Sequence, residues 1–410
     1  MAALGTRVGR WAGYEGRANA LDVGRGIAIL SVIYGHALAP WFMGAGEHFS
    51  EAAFLQWKFG ASFMMVFFFF LSGVGWREDK SLATTLRQAL SLVILTLIAC
   101  VLFDLLRLIA TLAGFAAALG VDPLEPMRFV RGLARMAVLG DVYSLTALWF
   151  LVALAVVRVI AAVANRFGDL VLIGVGLGLF ALTLTATALS WRNVYQIDLL
   201  GVAFLAFIAG HYARDLVQAL ERRRAAAYAL LLVAGAGTAL TFHLNEGCRW
   251  DVTAQCGQAW LGGHFGVSMV IGQFGNIPMF MVTAVCGAAF AMSLSILLAR
   301  YGGFVGARID AWGRNSLNLL VVNSLFLHLV NPQIERWVMP RIAGEGVLFF
   351  LGLLTLTMAL NLAAVHALTR PLKQLNNLSL RLAREALDLA HRPFGAIVVR
   401  RALRVSQGND

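Results

Sequence analysis

The segment Asp22-Val-Gly-Arg25-Gly-Ile-Ala-Ile-Leu-Ser-Val-Ile-Tyr-Gly35-His36 places three ionisable residues in the first long apolar run of the chain. Such groups are costly inside a membrane, so they favour a reaction centre or a transport path. In an α-helix of about 3.6 residues per turn, Asp22, Arg25 and His36 point to nearly the same side, and about 16 Å separates Arg25 from His36. The segment therefore predicts a membrane helix beside a pocket with charge at one end and histidine at the other. The alternative is that His36 faces a pore or is satisfied by neighbouring helices.

The composition indicates a membrane protein, because 60% of the 410 residues are hydrophobic and only 13% are charged. A helix needs about 20 apolar residues to cross a bilayer. We therefore predict an all-α polytopic integral membrane protein with about ten transmembrane helices. The stretch 264–276, which precedes the eighth span, is a candidate interfacial or re-entrant segment. The predicted spans are 21–43, 59–76, 90–118, 143–163, 169–189, 195–213, 225–243, 277–299, 315–334 and 346–369.

The distribution of Lys and Arg predicts the orientation, since these residues concentrate on the side that an even number of spans gives to both termini. We expect a cytoplasmic N-terminal segment 1–20, a transmembrane domain 21–370 and a basic cytoplasmic tail 371–410. In the tail, Leu378, Leu382 and Leu389 predict an amphipathic helix. The first 20 residues lack an apolar core, so we expect no removable signal peptide. The net charge of +11 follows from this topology and from anionic lipids, and requires no nucleic-acid partner.

Two cysteines fall in the polar loop 245–264, which this topology puts outside the cell, where disulfides persist. A disulfide between Cys248 and Cys256 is one prediction. A metal site completed by His243 or His264 is the other, and the lack of a second cysteine pair makes it the weaker one.

Further polar residues occur inside the predicted spans. Asp104 and Arg107 have the i, i+3 spacing of a structural ion pair, with contact to a donor substrate as the alternative. Ser316 and Asn323 share a helix face, which suits either a hydrogen-bonded seam between helices or the lining of a site. A stripe of arginines in the loop 119–142 predicts an amphipathic segment on the membrane, near anionic glycan or lipid. Its members are Arg128, Arg131 and Arg135.

Taken in order, several motifs resemble the acyltransferase 3 family of membrane proteins. The resemblance covers about residues 17–370, and the Gly35-His36 form with a phenylalanine-rich second span is most similar to the branch that acetylates cell-surface glycans. The motifs are Arg17, Asp22, Arg25 and Gly35-His36 on the first span, Phe67-Phe-Phe-Phe-Leu-Ser72-Gly73 on the second, Leu148-Trp149-Phe150-Leu151 on the fourth, Phe204 to Gly210 on the sixth and Gly313-Arg-Asn-Ser316-Leu317 on the ninth.

The resemblance implies an acyltransferase 3-like helix bundle in a bacterial inner membrane. Its activity would be transfer of an acyl group, commonly acetyl, from cytoplasmic acyl-CoA to a hydroxyl of an external carbohydrate. His36 would be the general base, and Arg17 and Arg25 would bind the phosphates of coenzyme A, with Asp22 paired to one of them. We expect no metal and no permanently bound cofactor. The remaining expected substrate-binding residues are Ser72, Arg77, Arg87, Trp149, Ser316 and Asn323.

The chain departs from the family pattern at two positions. The family often carries an Arg-x-x-Arg pair after its second span, whereas Arg87 is followed by Leu90, so that Arg77 and Lys80 would supply the charge. The family often ends its ninth span in a histidine, whereas this chain has Asn323, which does not titrate near neutral pH.

Two other functions stay open at the level of sequence. One is a transporter or flippase of a glycan or an anion, with the buried charges along its path. The other is an N-acetyltransferase that modifies an amino sugar across the membrane. The enzyme is favoured over the transporter because the sequence has no paired half-repeats and no Gly/Pro-broken helices in matching positions.

Overall fold

The computed structural model describes residues 18–42, 49–142, 144–189, 191, 194–245, 247–249, 255–257, 265–338 and 347–406. Single-turn helical pieces extend some of the helices, as at Ala39–Trp41, Thr146–Leu148 and Asn331–Gln333. The α-helices are α1 (Ala20–Leu38), α2 (Glu51–Ala61), α3 (Met64–Val74), α4 (Leu82–Leu112), α5 (Pro126–Leu139), α6 (Trp149–Ala164), α7 (Asp169–Ala188), α8 (Ile197–Tyr212), α9 (Arg214–Arg222), α10 (Arg224–Thr241), α11 (Ile277–Tyr301), α12 (Gly303–Arg314), α13 (Ser316–Leu329), α14 (Val347–Ala367) and α15 (Thr369–Ser406).

Within the described residues, nine helical segments are long and apolar enough to cross a membrane, and the pair α8 and α9, bent by 52°, makes ten. The predicted all-α polytopic fold is therefore confirmed. The second span is longer than the predicted 59–76, because α2 and α3 together form Glu51–Val74 with a break at Ser62 and Phe63. Ser62 Oγ donates to the carbonyl of Lys58 at 2.6 Å, which satisfies an acceptor where α2 ends.

Close helix crossings depend on glycines at two places. A Cβ on Gly313 would collide with the backbone of Asp22, and one on Gly26 with the backbone of Ile309, so α12 packs directly on α1. A Cβ on Gly73 would likewise meet the backbone of α8 at Phe207. Small residues permit such backbone approach in membranes, where packing rather than water drives association. The crossing of α12 on α1 fixes the segment that carries Asp22 and Arg25.

The phenylalanines of the second span pack in the core. Phe67 and Phe69 are fully buried, and the ring of Phe69 lies 4.9 Å from that of Phe150 on α6. Aromatic rings in such tilted contacts add to the packing between helices. Phe68 differs, because its side chain also faces a cavity described below.

A small antiparallel sheet lies between α10 and α11. Its strands are β1 (Gly247–Arg249), β2 (Gln255–Gly257) and β3 (Phe265–Gly266), in the order β2-β1-β3. Cys248 and Cys256 are register partners on β1 and β2. This backbone pairing brings the two cysteines opposite each other, and the disulfide between them stays a prediction. His264, the alternative metal ligand, lies outside the described residues.

The stretch after the sheet is neither an ordinary loop nor a span. Ser268 and Gln273 form an isolated antiparallel bridge, and Val267, Met269 and Phe274 are buried. The predicted re-entrant alternative for 264–276 agrees with this burial, since irregular backbone is tolerated at membrane depth where protein covers it. Residues 265–276 close the end of the bundle at which His36 lies, called the His36 end. The opposite end is called the Arg25 end.

The C-terminal helix α15 packs along the bundle at the Arg25 end. Asn376 Nδ2 donates to Asn318 Oδ1 on α13 at 2.9 Å, and Ala383 is fully buried. The predicted stripe of Leu378, Leu382 and Leu389 is exposed. An exposed apolar stripe on a basic helix suits contact with lipid, as expected for a tail on the membrane surface.

The predicted orientation has a direct test in reporter fusions. Fusions after Gly46, Asn245 and Arg341 should report an external location, and those after Lys80, Arg223 and Arg308 a cytoplasmic one, because the Lys and Arg distribution requires it. Alkaline phosphatase and green fluorescent protein fusions, which are active on opposite sides, provide the measurement. A cytoplasmic reading at Asn245 would overturn both the orientation and the predicted disulfide.

Candidate active site

One cavity of about 1160 Å³ lies between α1, α3, α6, α11 and α13. Its lining includes Asp22 and Arg25 at one end and His36 and Trp57 at the other. Since α1 forms one of its walls, the cavity follows the face that carries the three ionisable residues, over about 16 Å between Arg25 and His36. The pocket predicted beside α1 is therefore present, with its charged groups at one end and its histidine at the other.

Buried asparagines hold His36 at the ring and at the backbone. The Asn323 amide nitrogen lies 2.6 Å from His36 Nδ1, and Asn361 Nδ2 donates to Asn323 Oδ1 at 3.2 Å. Asn323 and Asn361 are only 1% and 2% exposed, so bulk water does not compete for these bonds. Asn331 Nδ2 donates to the His36 carbonyl at 2.7 Å, which also accepts from the backbone N–H of Ala39 at the end of α1. Both the ring and the helix end are thus fixed.

The amide chain has two directions of hydrogen bonding. If Asn323 donates to Nδ1, the neutral imidazole carries its proton on Nε2 and is a donor there. The oxygen and nitrogen of an amide have nearly the same shape, so a half-turn of both Asn323 and Asn361 preserves the two contacts and reverses them. Asn323 Oδ1 then accepts from Nδ1–H, and Nε2 is free to accept a proton. Only the second direction makes His36 a base at Nε2.

Three positive side chains face the Arg25 end of the cavity. Asp22 Oδ1 accepts from Arg25 Nη1 at 2.7 Å, and Arg314 pairs with Asp310. Arg158 on α6 makes no hydrogen bond or ion pair within the described part of the chain. The like charge of Arg25 lies close enough to repel it. A partly buried guanidinium without a counter-charge is costly, so this end favours an anion that bridges Arg25 and Arg158.

Other predicted site residues line the cavity wall. Trp149 and Ser316 face it, and so does Ser72, whose hydroxyl donates to the Phe68 carbonyl at 2.9 Å. The Ser72 oxygen therefore keeps lone pairs with which it can accept a hydrogen bond. Asn323 reaches the site through His36 rather than by lining the cavity, which differs from the substrate contact expected from its sequence position.

The structure does not bring every predicted residue to the cavity. Arg77 is exposed and bonds Asp79 at 3.2 Å and 2.8 Å, and this hydrogen bond lowers the pKa of the Asp79 carboxyl. Arg87 on α4 does not line the cavity, and its buried Nε has no hydrogen-bond partner among the described residues. Arg17 lies outside the described residues. The expected donor contacts of Arg77 and Arg87 are therefore not supported by their positions.

Sequence reasoning missed two features of this site. Arg158 belongs to the Lys and Arg distribution that predicts the orientation, but an arginine nine residues after the start of α6 is also unusual in an apolar span. Asn361 lies in the apolar run of α14, and a lone asparagine there signals a buried hydrogen bond. The lone asparagine does not identify its partner Asn323, because the contact connects helices that are distant in the sequence.

These features define a class: a polytopic α-helical membrane protein with a cavity that carries basic groups at one end and a fixed histidine at the other. Residues 18–366 match the acyltransferase 3 family model, which is described as an acyltransferase domain. The chain belongs to this family, and membrane acyltransferase activity follows from the membership. No curated protein and no solved structure matches the chain.

Proposed function

We propose that the protein transfers an acyl group, acetyl in the first place, from acyl-CoA to a hydroxyl of a cell-surface or exported carbohydrate. The observation that carries this proposal is a single cavity whose lining includes both Arg25 and His36. A donor bound by its phosphates at the Arg25 end would extend its acyl chain toward the histidine. The acceptor would then enter from the His36 end, so the two substrates would meet without either crossing the membrane.

The donor end suits coenzyme A because its phosphates match the charges there. Arg25 has one carboxylate partner in Asp22, and Arg158 has none among the described residues. Two guanidinium groups can bind the oxygens of a diphosphate, and Arg is better suited to this than Lys because of its planar fork. The apolar middle of the cavity, with Phe68 and Leu154, would accept the uncharged pantetheine arm.

His36 supplies the acid–base chemistry of the proposed reaction. Its Nε2 removes the proton of the acceptor hydroxyl while that oxygen attacks the thioester carbonyl. The carbon–sulfur bond then breaks, the oxygen ester forms, and the imidazolium returns the proton to the coenzyme A sulfur. In the reversed direction of the amide chain, Asn323 Oδ1 accepts from Nδ1–H, which would keep the proton off Nε2 before the reaction and stabilise the charged ring during it.

A binding series at Arg25 tests the donor site. Arg25→Ala should weaken acetyl-CoA binding about ten-fold or more, because a charge-assisted hydrogen bond is worth about 1.5–3 kcal/mol. Arg25→Lys should restore only part of the affinity, since an ammonium keeps the charge and loses the fork. Calorimetric titration of the purified protein in nanodiscs gives the dissociation constants. Arg166→Gln, which removes an exposed charge beyond the end of α6, is the matched control and should bind normally.

The same titration distinguishes the alternatives. If the Arg25→Lys variant binds acetyl-CoA as tightly as the unmodified protein, the side chain at position 25 is only an anchor at the membrane surface. If the unmodified protein binds no acetyl-CoA while vesicles that contain it move a glycan or an anion unchanged, the transporter replaces the enzyme. Transfer to an amine rather than a hydroxyl would give an amide, which survives mild alkali, whereas the proposed ester does not.

A further inference from the structure

A second cavity, of about 1300 Å³, opens at the His36 end of the bundle. It lies between α4, α5 and the segment that follows α13, with Arg107, Gly132 and Pro332 in its lining. Five arginines and two carboxylates line it, so the charge of its lining is positive. The five arginines are Arg107, Arg128, Arg131, Arg135 and Arg336, and the carboxylates belong to Asp122 and Glu125.

Carboxylates compensate only some of these arginines. Arg107 pairs with buried Asp104 at 3.3 Å, Arg128 approaches Glu125 at 3.7 Å, and Arg135 pairs with Asp141. Two arginines have no carboxylate partner within the described residues. Arg336 Nη1 donates to the carbonyl of Ala117 at 2.6 Å, and Arg131 makes no hydrogen bond or ion pair there. The cavity therefore has two guanidinium groups without a carboxylate partner among the described residues, and these can bind an anion.

The helix α5 forms one wall of this cavity. Met127, Val130 and Val138 are 59%, 58% and 68% exposed, so the helix presents an apolar face outward. Its arginines occupy another face and line the cavity. An amphipathic helix seated in a membrane turns its apolar side to the acyl chains. The arginine stripe, expected from the sequence on a membrane-lying segment, lines this open cavity, and the side chains of Arg128 and Arg135 are 68% and 56% exposed.

The second cavity adjoins the candidate active site. His328 on α13 lines it five residues after Asn323, the partner of His36, and Thr146 Oγ1 lies 3.4 Å from His328 Nε2. Ser144 lines the second cavity and Ala147 lines the first, so about one turn of chain separates the two. A ligand in the basic cavity would therefore lie beside His328, about one turn of chain from the cavity that contains His36.

We propose that the basic cavity binds an acidic saccharide, through its carboxylate or phosphate groups, as the acceptor of the transferred acyl group. This inference rests on the proposed function and adds the acceptor's chemical class to it. Arg131 and Arg336 bind the anionic groups, and the neighbouring hydroxyls of the sugar lie toward the wall that carries His328. Binding should weaken with added salt, because exposed charges are screened over about 8 Å at physiological ionic strength.

Binding of charged and uncharged probes tests the assignment. The full-length protein in phosphatidylcholine nanodiscs, free of anionic lipid, is titrated with tri-galacturonate and with glucose 6-phosphate. Maltotriose and glucose are the uncharged counterparts. At least one acidic probe should bind more tightly than its counterpart, and Arg131→Gln should weaken that binding about ten-fold, the loss of one charge-assisted bond. Arg166→Gln, which has the same net charge, should leave it unchanged.

Two outcomes would overturn the proposal. One is binding of both acidic probes no tighter than that of the neutral sugars, or binding that Arg131→Gln does not alter. The other is full competition by phosphatidylglycerol introduced into the nanodiscs, which would make the cavity a lipid site. Acetyl-CoA titration of the same preparations keeps the two proposals apart. Arg131→Gln should retain normal acetyl-CoA binding, so a failure here leaves the donor site standing, while loss of acetyl-CoA binding in the unmodified protein rejects the proposed function itself.

Discussion

Replacing His36 with alanine should lower the rate of acyl transfer about 100-fold or more while the protein remains in the membrane. General base catalysis is worth about 10²–10⁴ in rate, and a 100-fold loss corresponds to about 2.7 kcal/mol of activation free energy. Acetyl-CoA binding should change little, because the donor phosphates would be held at the Arg25 end of the cavity, about 16 Å from the histidine. Initial rates of transfer at matched protein amounts provide the measurement.

Another histidine within a membrane-spanning helix gives the control for this variant. His211 on α8 contacts Glu78 at 3.2 Å and lines neither cavity. His211→Ala removes a side chain of the same size from the bundle, so it reports any general cost of losing an imidazole. It should keep most of the transfer rate. Equal rates for His36→Ala and the unmodified protein would remove His36 from the mechanism.

Replacing Asn323 with leucine should lower the rate about 10-fold to 100-fold, through a change in kcat rather than in KM for acetyl-CoA. Leucine has the branching and the number of side-chain heavy atoms of asparagine but no polar atom, so it leaves His36 Nδ1 and the Asn361 amide without their partner. The ring would then lose both its orientation and the acceptor that keeps the proton on Nδ1. Steady-state kinetics with varied acetyl-CoA separates the two parameters.

Asn323→Asp distinguishes a positioning role from a structural one. A carboxylate can only accept, so it would take a hydrogen bond from Nδ1–H of His36 and another from Nδ2 of Asn361. This fixes the direction in which Nε2 is the base, and activity should return to near that of the unmodified protein. Asn376→Leu, which breaks the bond to Asn318 at the other end of the bundle, is the control for loss of an interhelical amide bond. An inactive Asn323→Asp variant that still binds acetyl-CoA would contradict the proposed direction.

Sequence reasoning succeeded where the period of the helix decides the answer. The spacing of Asp22, Arg25 and His36 predicted a shared face, and all three line the same cavity. The apolar runs predicted about ten spans, and the helices agree. Small residues such as Ser72 and Gly73 allow close helix approach in membranes, and Gly73 packs on the backbone of α8. Each of these depends on properties local to one helix.

Sequence reasoning failed where the answer depends on contacts between distant helices. The break at Ser62 and Phe63 contains neither Gly nor Pro, and the nearby Gly60 lies within α2. Arg77 carries the expected charge, but Asp79, two residues away, binds it at the surface. Nothing in the order of residues shows that Asn323 meets His36 across 287 positions of sequence. Such pairings are set by the packing of the bundle.

The central claim is that acyl-CoA at the Arg25 end donates its acyl group to a carbohydrate at the His36 end. The most direct measurement uses proteoliposomes with [¹⁴C]acetyl-CoA and an envelope glycan fraction on opposite sides of the membrane. The account predicts label on the glycan that mild alkali releases, in the unmodified protein and in His211→Ala, with about 100-fold less in His36→Ala. Label that resists alkali, equal labelling in His36→Ala, or transport of unlabelled glycan without acyl transfer would contradict it.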